Sequence, residues 1–232
     1  MQKPLLRWVI GDVHDLGFHV LKKSVKRFLD LYGNEFDYLI CYNNLPKSRV
    51  EELSSIGIDI YDQTEEGKKL FPPISDFENT LSGGAIWKIC PPRLRKESHE
   101  IVLDNDIILR NRHECISNFL NSDSLFLVTE ALDRLFGKFD SYVPEGIKLN
   151  TGFYGLPPNY DFKEKIEKLI FKSQIKSWES HWDKQGLVAA CIVKENYEVI
   201  SLDDISVCWG SYNRGKFGDH FPGVNSGVSD YW

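Results

Sequence analysis

Asp104 and Asp106 lie either side of Asn105, between two apolar runs, EIVL (100–103) and IIL (107–109). Two carboxylates two residues apart at the end of a buried strand can both turn toward one point. A hard divalent cation such as Mg²⁺ or Mn²⁺ takes one or two such carboxylates and fills its shell with diphosphate oxygens and water. The same charges framed by apolar runs would be costly to bury without a partner. The plain alternative is an Asp-x-Asp on a solvated loop. A second pair, Asp12 and His14 in GDVH, follows the apolar run LLRWVI (5–10). An Asp-x-His at a strand end is how two-metal phosphoesterases begin their sites. The Gly-Asp-x-x-Asp and Gly-Asn-His blocks that complete such sites are absent here. The alternative is a loop Asp and His at the C-terminal edge of a sheet, which is also where ligands sit in open α/β folds.

Residues that converge need a scaffold that converges. LLRWVI is closed by Gly11-Asp12 and has the character of a buried strand. Phe18, Leu21, Val25, Phe28 and Tyr32 recur at steps of three and four, which predicts a helix with one apolar face, ended by Gly33-Asn34. FDYLICY (36–42) is a second strand. Residues 46–56 predict a second helix, with Pro46 in its first turn and Gly57 at its end, and IDIY (58–61) is a third strand. The alternation β-α-β-α-β implies a parallel sheet with helices on both faces.

Beyond it, residues 63–84 are polar and irregular, with the character of a loop or flap, and a helix start near Ala85 is cut by Pro91-Pro92. Strands are expected at 124–128, at 147–153 with a polar break, and at 197–202. Helices are expected at 161–171 and 185–193, and the tail 211–232 has no period.

The chain has 232 residues, 42% hydrophobic and 27% charged, enough for one large domain over 1–232 that needs no metal or disulfide to fold. With 34 acidic against 28 basic residues and a net charge of −6, it lacks the basic balance of a nucleic-acid binder. No apolar run reaches the ~18–20 residues of a membrane span. The start, MQKPLLRWVIGDVHD, lacks a secretory core and cleavage site. Cys41, Cys90, Cys115, Cys191 and Cys208 are odd in number and widely spaced. They predict buried, reduced thiols and a cytoplasmic protein rather than a zinc knuckle or a disulfide framework.

EIVLDNDIIL resembles the DxD block of nucleotide-sugar glycosyltransferases with the GT-A fold. Three more segments follow in that family's order. LNTGF (149–153) resembles the N-x-G strand segment of glycosyltransferase family 8 and its relatives. WDKQGL (182–187) resembles their D-Q helix start, and HFPG (220–223) their late H-F-x-G motif. The resemblance spans residues 5–225. It implies an α/β, Rossmann-like GT-A domain with a mostly parallel sheet, in which 1–106 form the nucleotide-binding half and 107–232 the acceptor side and tail. It implies metal-dependent transfer of a hexose from a nucleotide sugar, a UDP-sugar, to a glycan or other hydroxyl acceptor, with Mn²⁺ or Mg²⁺.

In this likeness Asp104, Asp106 and His220 hold the metal, and Gly223 lets backbone approach the diphosphate. Asn150 and Gly152 face sugar or acceptor, and Gln185 contacts the donor. Asp183 contacts sugar hydroxyls or serves as the base. Lys88, ahead of Arg93 and Arg95, pairs with phosphate or with the acidic site. Asp12 and Asp62, at the ends of the first and third strands, meet the ribose and base. Trp182, Trp209, Tyr212 and Trp232 are candidates for stacking on sugar rings. Plain alternatives stand beside these roles: a loop histidine for His220, a β-bulge for Asn150 and Gly152, an N-cap for Asp183, and a solvated face for the basic run. A phosphoesterase built on GDVH, or a non-catalytic module that binds sugar nucleotides, are the other functions the residues allow.

Overall fold

The computed structural model describes residues 2–66, 87–178, 180–208 and 213–224. The chain opens as expected: β1 (Leu5–Ile10), α1 (Asp15–Tyr32), β2 (Asp37–Tyr42), α2 (Lys47–Ser54) and β3 (Asp59–Asp62). Every residue of β1 is buried, as a strand covered on both faces requires. On α1 the residues Phe18, Leu21, Val25, Phe28 and Tyr32 form the buried face, and Gly33, at φ +52°, ends the helix. That left-handed backbone suits glycine, which has no Cβ to clash.

A 3-10 turn (Trp87–Ile89), β4 (Glu100–Asp104), β5 (Ile107–Leu109), α3 (Glu114–Leu120) and β6 (Leu125–Glu130) follow. Then come a second 3-10 turn (Gly137–Tyr142), β7 (Leu149–Leu156), α4 (Phe162–Ser173), α5 (His181–Ile192), β8 (Asn196–Ile200), β9 (Ile205–Val207) and β10 (Gly218–His220). Seven strands form one sheet in the order β3-β2-β1-β4-β7-β6-β8. All neighbours are parallel except β7, which runs antiparallel to both β4 and β6. A core cluster lies on each face: one gathers α1 residues against Trp8 and Ile40, the other α4 and α5 residues against Val102 and Tyr154. A separate three-stranded sheet, β5-β10-β9, sits beyond the end of β4.

One buried ion pair ties the far end of the sheet together. Arg7 Nε donates to Glu100 Oε1 at 2.7 Å, both side chains 0% exposed, and Arg7 Nη2 donates to the Pro91 carbonyl at 2.9 Å. Glu100 Oε2 accepts the N–H groups of Leu94 and Arg95. The segment between the first 3-10 turn and β4 is thereby pinned to the core. Arg93 and Arg95 also serve that segment: Arg93 donates to the carbonyls of Ser98 and Tyr160, and Arg95 to that of Lys3.

Five elements differ from expectation. The helix start near Ala85 is, where described, a single 3-10 turn. α5 begins four residues before the expected 185. α3 and the strands β9 and β10 carry too few residues to show a period. β10 exists because β5 and β9 supply its ladder, a tertiary effect. The expected loop or flap at 63–84 lies mostly outside the described residues, as do Trp209, Tyr212 and Trp232. All five cysteines are free and buried. No helix among the described residues is long and apolar enough to cross a membrane.

Candidate functional site

β4 and β5 are consecutive: β4 ends in Asp104, and the turn to β5 is Asn105-Asp106. Asn105 Nδ2 donates to the Gly17 carbonyl at 3.2 Å, which fixes the turn against the start of α1. Asp104 and Asp106, on either side, are both buried. β10 runs antiparallel to β5 with His220 opposite Ile107, and Phe221 N–H donates to the Asp106 carbonyl at 3.0 Å. This register carries His220, over a hundred positions along the chain, to the acids. Its Nε2 lies 3.2 Å from Asp106 Oδ1 and 3.9 Å from Asp104 Oδ2.

The ligand-type atoms of the three residues fall within 4.8 Å of one another, the only such group of three among the described residues. Two carboxylates and one imidazole form an oxygen-rich set that suits Mn²⁺ or Mg²⁺. The space beside it fits too. An ideal Cβ on Gly152 would stand 2.9 Å from Asp104 Oδ2, 2.9 Å from His220 Cε1 and 2.9 Å from Asn150 Oδ1. Only a residue without a side chain leaves that room.

Gly152 reaches this place through an irregularity. The β6–β7 register shifts between Val128 and Thr129, and Asn150 Oδ1 accepts the Gly152 N–H at 2.7 Å. The β-bulge named as the plain alternative for these two residues is thus the device that aims Gly152 at the acids.

Asp219 holds β10, and with it His220, in place. Its Oδ1 accepts from Ser206 Oγ at 2.9 Å and Gly215 N–H at 3.0 Å, and the Arg110 guanidinium meets its Oδ2. Side chains alternate along a strand, so anchoring Asp219 on one face directs His220 to the other. Nothing in the sequence pattern singled out Asp219.

Two lysines enter the same cluster. The Lys88 ammonium meets Asp104 Oδ1. Lys184, in the first turn of α5, is 4% exposed. Burial and the neighbouring Lys88 push its ammonium down to about 7, against the pull of Asp104 and Asp106. Burial works to raise the Asp104 carboxyl, but Lys88, Lys184 and His220 outweigh it and hold it below its ordinary value.

Lys184 was missed in the sequence. The run Asp183-Lys184-Gln185 opens an otherwise apolar helix with three polar residues, and all three are buried. Lys184 takes the place facing the acids. Asp183 completes a capping box with Ser180, its Oδ2 accepting the Ser180 N–H at 3.2 Å and its Oδ1 the Lys138 N–H at 2.8 Å. Gln185 Nε2 donates to the Leu135 carbonyl at 2.9 Å. The structure therefore gives Asp183 and Gln185 work in holding α5 and the 131–138 segment, and does not bring them into the group of three.

The remaining candidates are spread along the same sheet edge. Asp62 ends β3, and its Oδ1 accepts the Thr64 N–H at 2.9 Å. Asp12 is exposed just past β1 and takes Arg49 Nη1 at 3.3 Å. His14 Nδ1 caps α1 by accepting the Leu16 N–H at 3.3 Å. GDVH thus adds nothing to the metal-type group. Gly223 lies in a turn past β10 at φ +99°, a conformation that favours glycine. Trp182 is half-buried, its ring centroid 3.8 Å from that of His181.

No protein-family model matches the chain, and no curated protein matches it in sequence. Solved structures do match. The galactosyltransferase LgtC, in complex with donor and acceptor sugar analogues, gives a TM-score of 0.65 at 11% identity, over 94% of this chain and 87% of that one. Mouse xyloside xylosyltransferase 1 in its apo form gives 0.61 at 11% identity, over 97% of this chain and 98% of that one. The glycosyltransferase GlyE of Streptococcus pneumoniae gives 0.52 at 14% identity, over 88% of this chain and 46% of that one. At such identities the likeness is one of architecture. The chain has the GT-A fold: an α/β domain with a mostly parallel seven-stranded sheet flanked by helices.

Proposed function

We propose that the chain is a metal-dependent glycosyltransferase that moves a hexose from a UDP-sugar to a glycan or other hydroxyl acceptor. The observation that carries this is the buried group of Asp104, Asp106 and His220 at the C-terminal edge of the sheet, with Gly152 leaving space beside it. These three residues hold Mn²⁺ or Mg²⁺. When bound, such an ion stabilises negative charge on the departing diphosphate.

The chain's own groups do the rest. Lys88 and Lys184 set positive charge beside the same oxygens. The strand order separates β3 from β4 by three spacings, roughly 14 Å, which is room to lay a nucleoside from the Asp104 end toward Asp12 and Asp62. Residues 1–106 form the nucleotide half and 107–232 the acceptor side. Asn150 and Gly152 line the sugar. Asp183 and Gln185 act as positioning residues: they fix the first turn of α5 and so the place of Lys184. Gly223 brings the turn after β10 toward the diphosphate. Five buried free thiols support a reducing compartment, the cytoplasm.

The test is thermal denaturation of the full chain with UDP, in Mn²⁺ and in EDTA. A ligand at a hundredfold excess over its Kd adds about 2.7 kcal/mol, a rise of roughly 5–10 °C for a domain of this size. That rise is expected with Mn²⁺, and it is expected to vanish in EDTA and in Asp106→Ala. Equal stabilisation in EDTA overturns the metal reading. Stabilisation with no UDP release from any UDP-sugar, whether to acceptors or to water, leaves only a binding module.

A further inference from the structure

Asp104 and Asp106 bring two negative charges to the cluster. Lys88 and Lys184 bring two amino groups, one of them in direct contact with a ligand carboxylate. The protein has therefore placed its own cations where an added one must go. A divalent cation held by Asp104 has to share that carboxylate with the Lys88 ammonium, which already meets its Oδ1. It also adds two positive charges to a site where Asp106 and Lys184 are each 4% exposed and His220 is 5% exposed. Unmatched charge in such surroundings is expensive. A diphosphate brings at least two negative charges and can give each ammonium a charge-assisted partner.

We infer that Lys88 and Lys184 couple the two ligands, so that neither the divalent cation nor the diphosphate binds well until the other is present. The inference rests on the site being a cation–diphosphate centre, as proposed above. Coupling of this kind is reciprocal: whatever factor the diphosphate adds to cation affinity, the cation adds to diphosphate affinity. Direct coordination of phosphate to the ion also couples the two, but the part played by the lysines has its own sign. Removing an ammonium group relieves competition, so the cation alone binds tighter. The same change takes a partner from the diphosphate, so the diphosphate alone binds more weakly.

Isothermal titration calorimetry on the full chain separates these effects, using Mn²⁺ alone, UDP in EDTA, and Mn²⁺ with saturating UDP. In the wild type, UDP should tighten Mn²⁺ binding about ten- to a hundredfold, within the usual span of coupling between two sites. In Lys88→Met and in Lys184→Met, Mn²⁺ alone should bind several-fold tighter than in the wild type and UDP in EDTA several-fold weaker, so the coupling shrinks. Lys88→Arg keeps a cation beside Asp104 and should keep the wild-type pattern. Lys88 lies in the first 3-10 turn with its side chain 15% exposed, more open than Lys184, so its variant carries the test if Lys184→Met fails to fold. Mn²⁺ binding alone that is unchanged or weaker in the folded Met variants, with wild-type coupling intact, overturns the inference and leaves the metal-dependent reading standing. Absence of Mn²⁺ binding to the wild type, with and without UDP, removes both.

Discussion

β4 carries one buried acid at each end, and the two are used in opposite ways. Glu100 meets one cation, Arg7, and two backbone N–H groups, all within the core. One charge answers one charge, and nothing further is invited. Asp104, four residues on, stands among Asp106, His220, Lys88 and Lys184. Five ionisable groups share one small volume beside a space kept clear by Gly152. The difference teaches how to tell a buried charge that builds from one that waits. A pair closed upon itself sits at the N-terminal edge and pins a loop. A crowded, mixed cluster sits at the C-terminal edge, where open α/β sheets take their ligands.

The sharpest way to break this contrast is at the closed end. Glu100→Leu leaves Arg7 buried without its carboxylate and should cost about 3–5 kcal/mol in urea denaturation. The double variant Arg7→Met with Glu100→Leu should recover much of that loss, because a buried ion pair is often no more stable than an apolar pair of similar volume. A single-variant cost under about 1 kcal/mol would mean that the pair does not hold the segment at 90–95.

At the open end, Gly152→Ala puts a methyl group into the space beside Asp104 and His220. Overpacking should cost about 1–3 kcal/mol, while Mn²⁺-dependent UDP binding falls by more than about tenfold, the equivalent of 1.4 kcal/mol. Intact UDP binding in Gly152→Ala would show that the space is not where the ligand lies.

The smallest effect is expected at Asp183. Asn keeps the shape of Asp183 at the third position of the helix, but its amide cannot accept from both Ser180 and Lys138. Asp183→Asn should lose about 1 kcal/mol and keep sugar transfer within a few-fold. A fall of about 10²–10⁴ at unchanged stability would make Asp183 an acid or base after all, and would place it with Asp104 rather than with Glu100.

Much of the scaffold was legible because β1, β2, β3 and β4 are apolar runs bounded by turn residues. The acids were legible from the same frame, since Asp104 and Asp106 interrupt what is otherwise one hydrophobic stretch. Arg7 could have drawn attention as a lone charge inside LLRWVI, but its partner is 93 positions away and no local pattern links them. Lys184 stayed hidden because three adjacent polar residues at a helix start look like a solvated cap; packing of the 3-10 turn (Gly137–Tyr142) and the 131–136 segment buries all three. β10 stayed hidden for the opposite reason. Three residues hold no period, and their strand character comes from β5 and β9.

The shortness of β10 has a kinetic consequence. Its ladder joins strands of three residues; β5 and β9 pack Ile107, Leu109 and Ile205 into the α1-side core, whereas the chain flanking β10 packs in a small cluster of Val20, Cys208, Phe221 and Val224. A unit so lightly held opens far more often than the seven-stranded sheet, and its amides should exchange with solvent sooner than those of β1 or β4. Each opening withdraws His220 while Asp104 and Asp106 stay in place. Of the three residues proposed to hold the cation, two stand where the large sheet ends and the third on the smaller one. On the proposed reading, the rate at which a bound cation escapes would follow the breathing of these three residues rather than the stability of the whole.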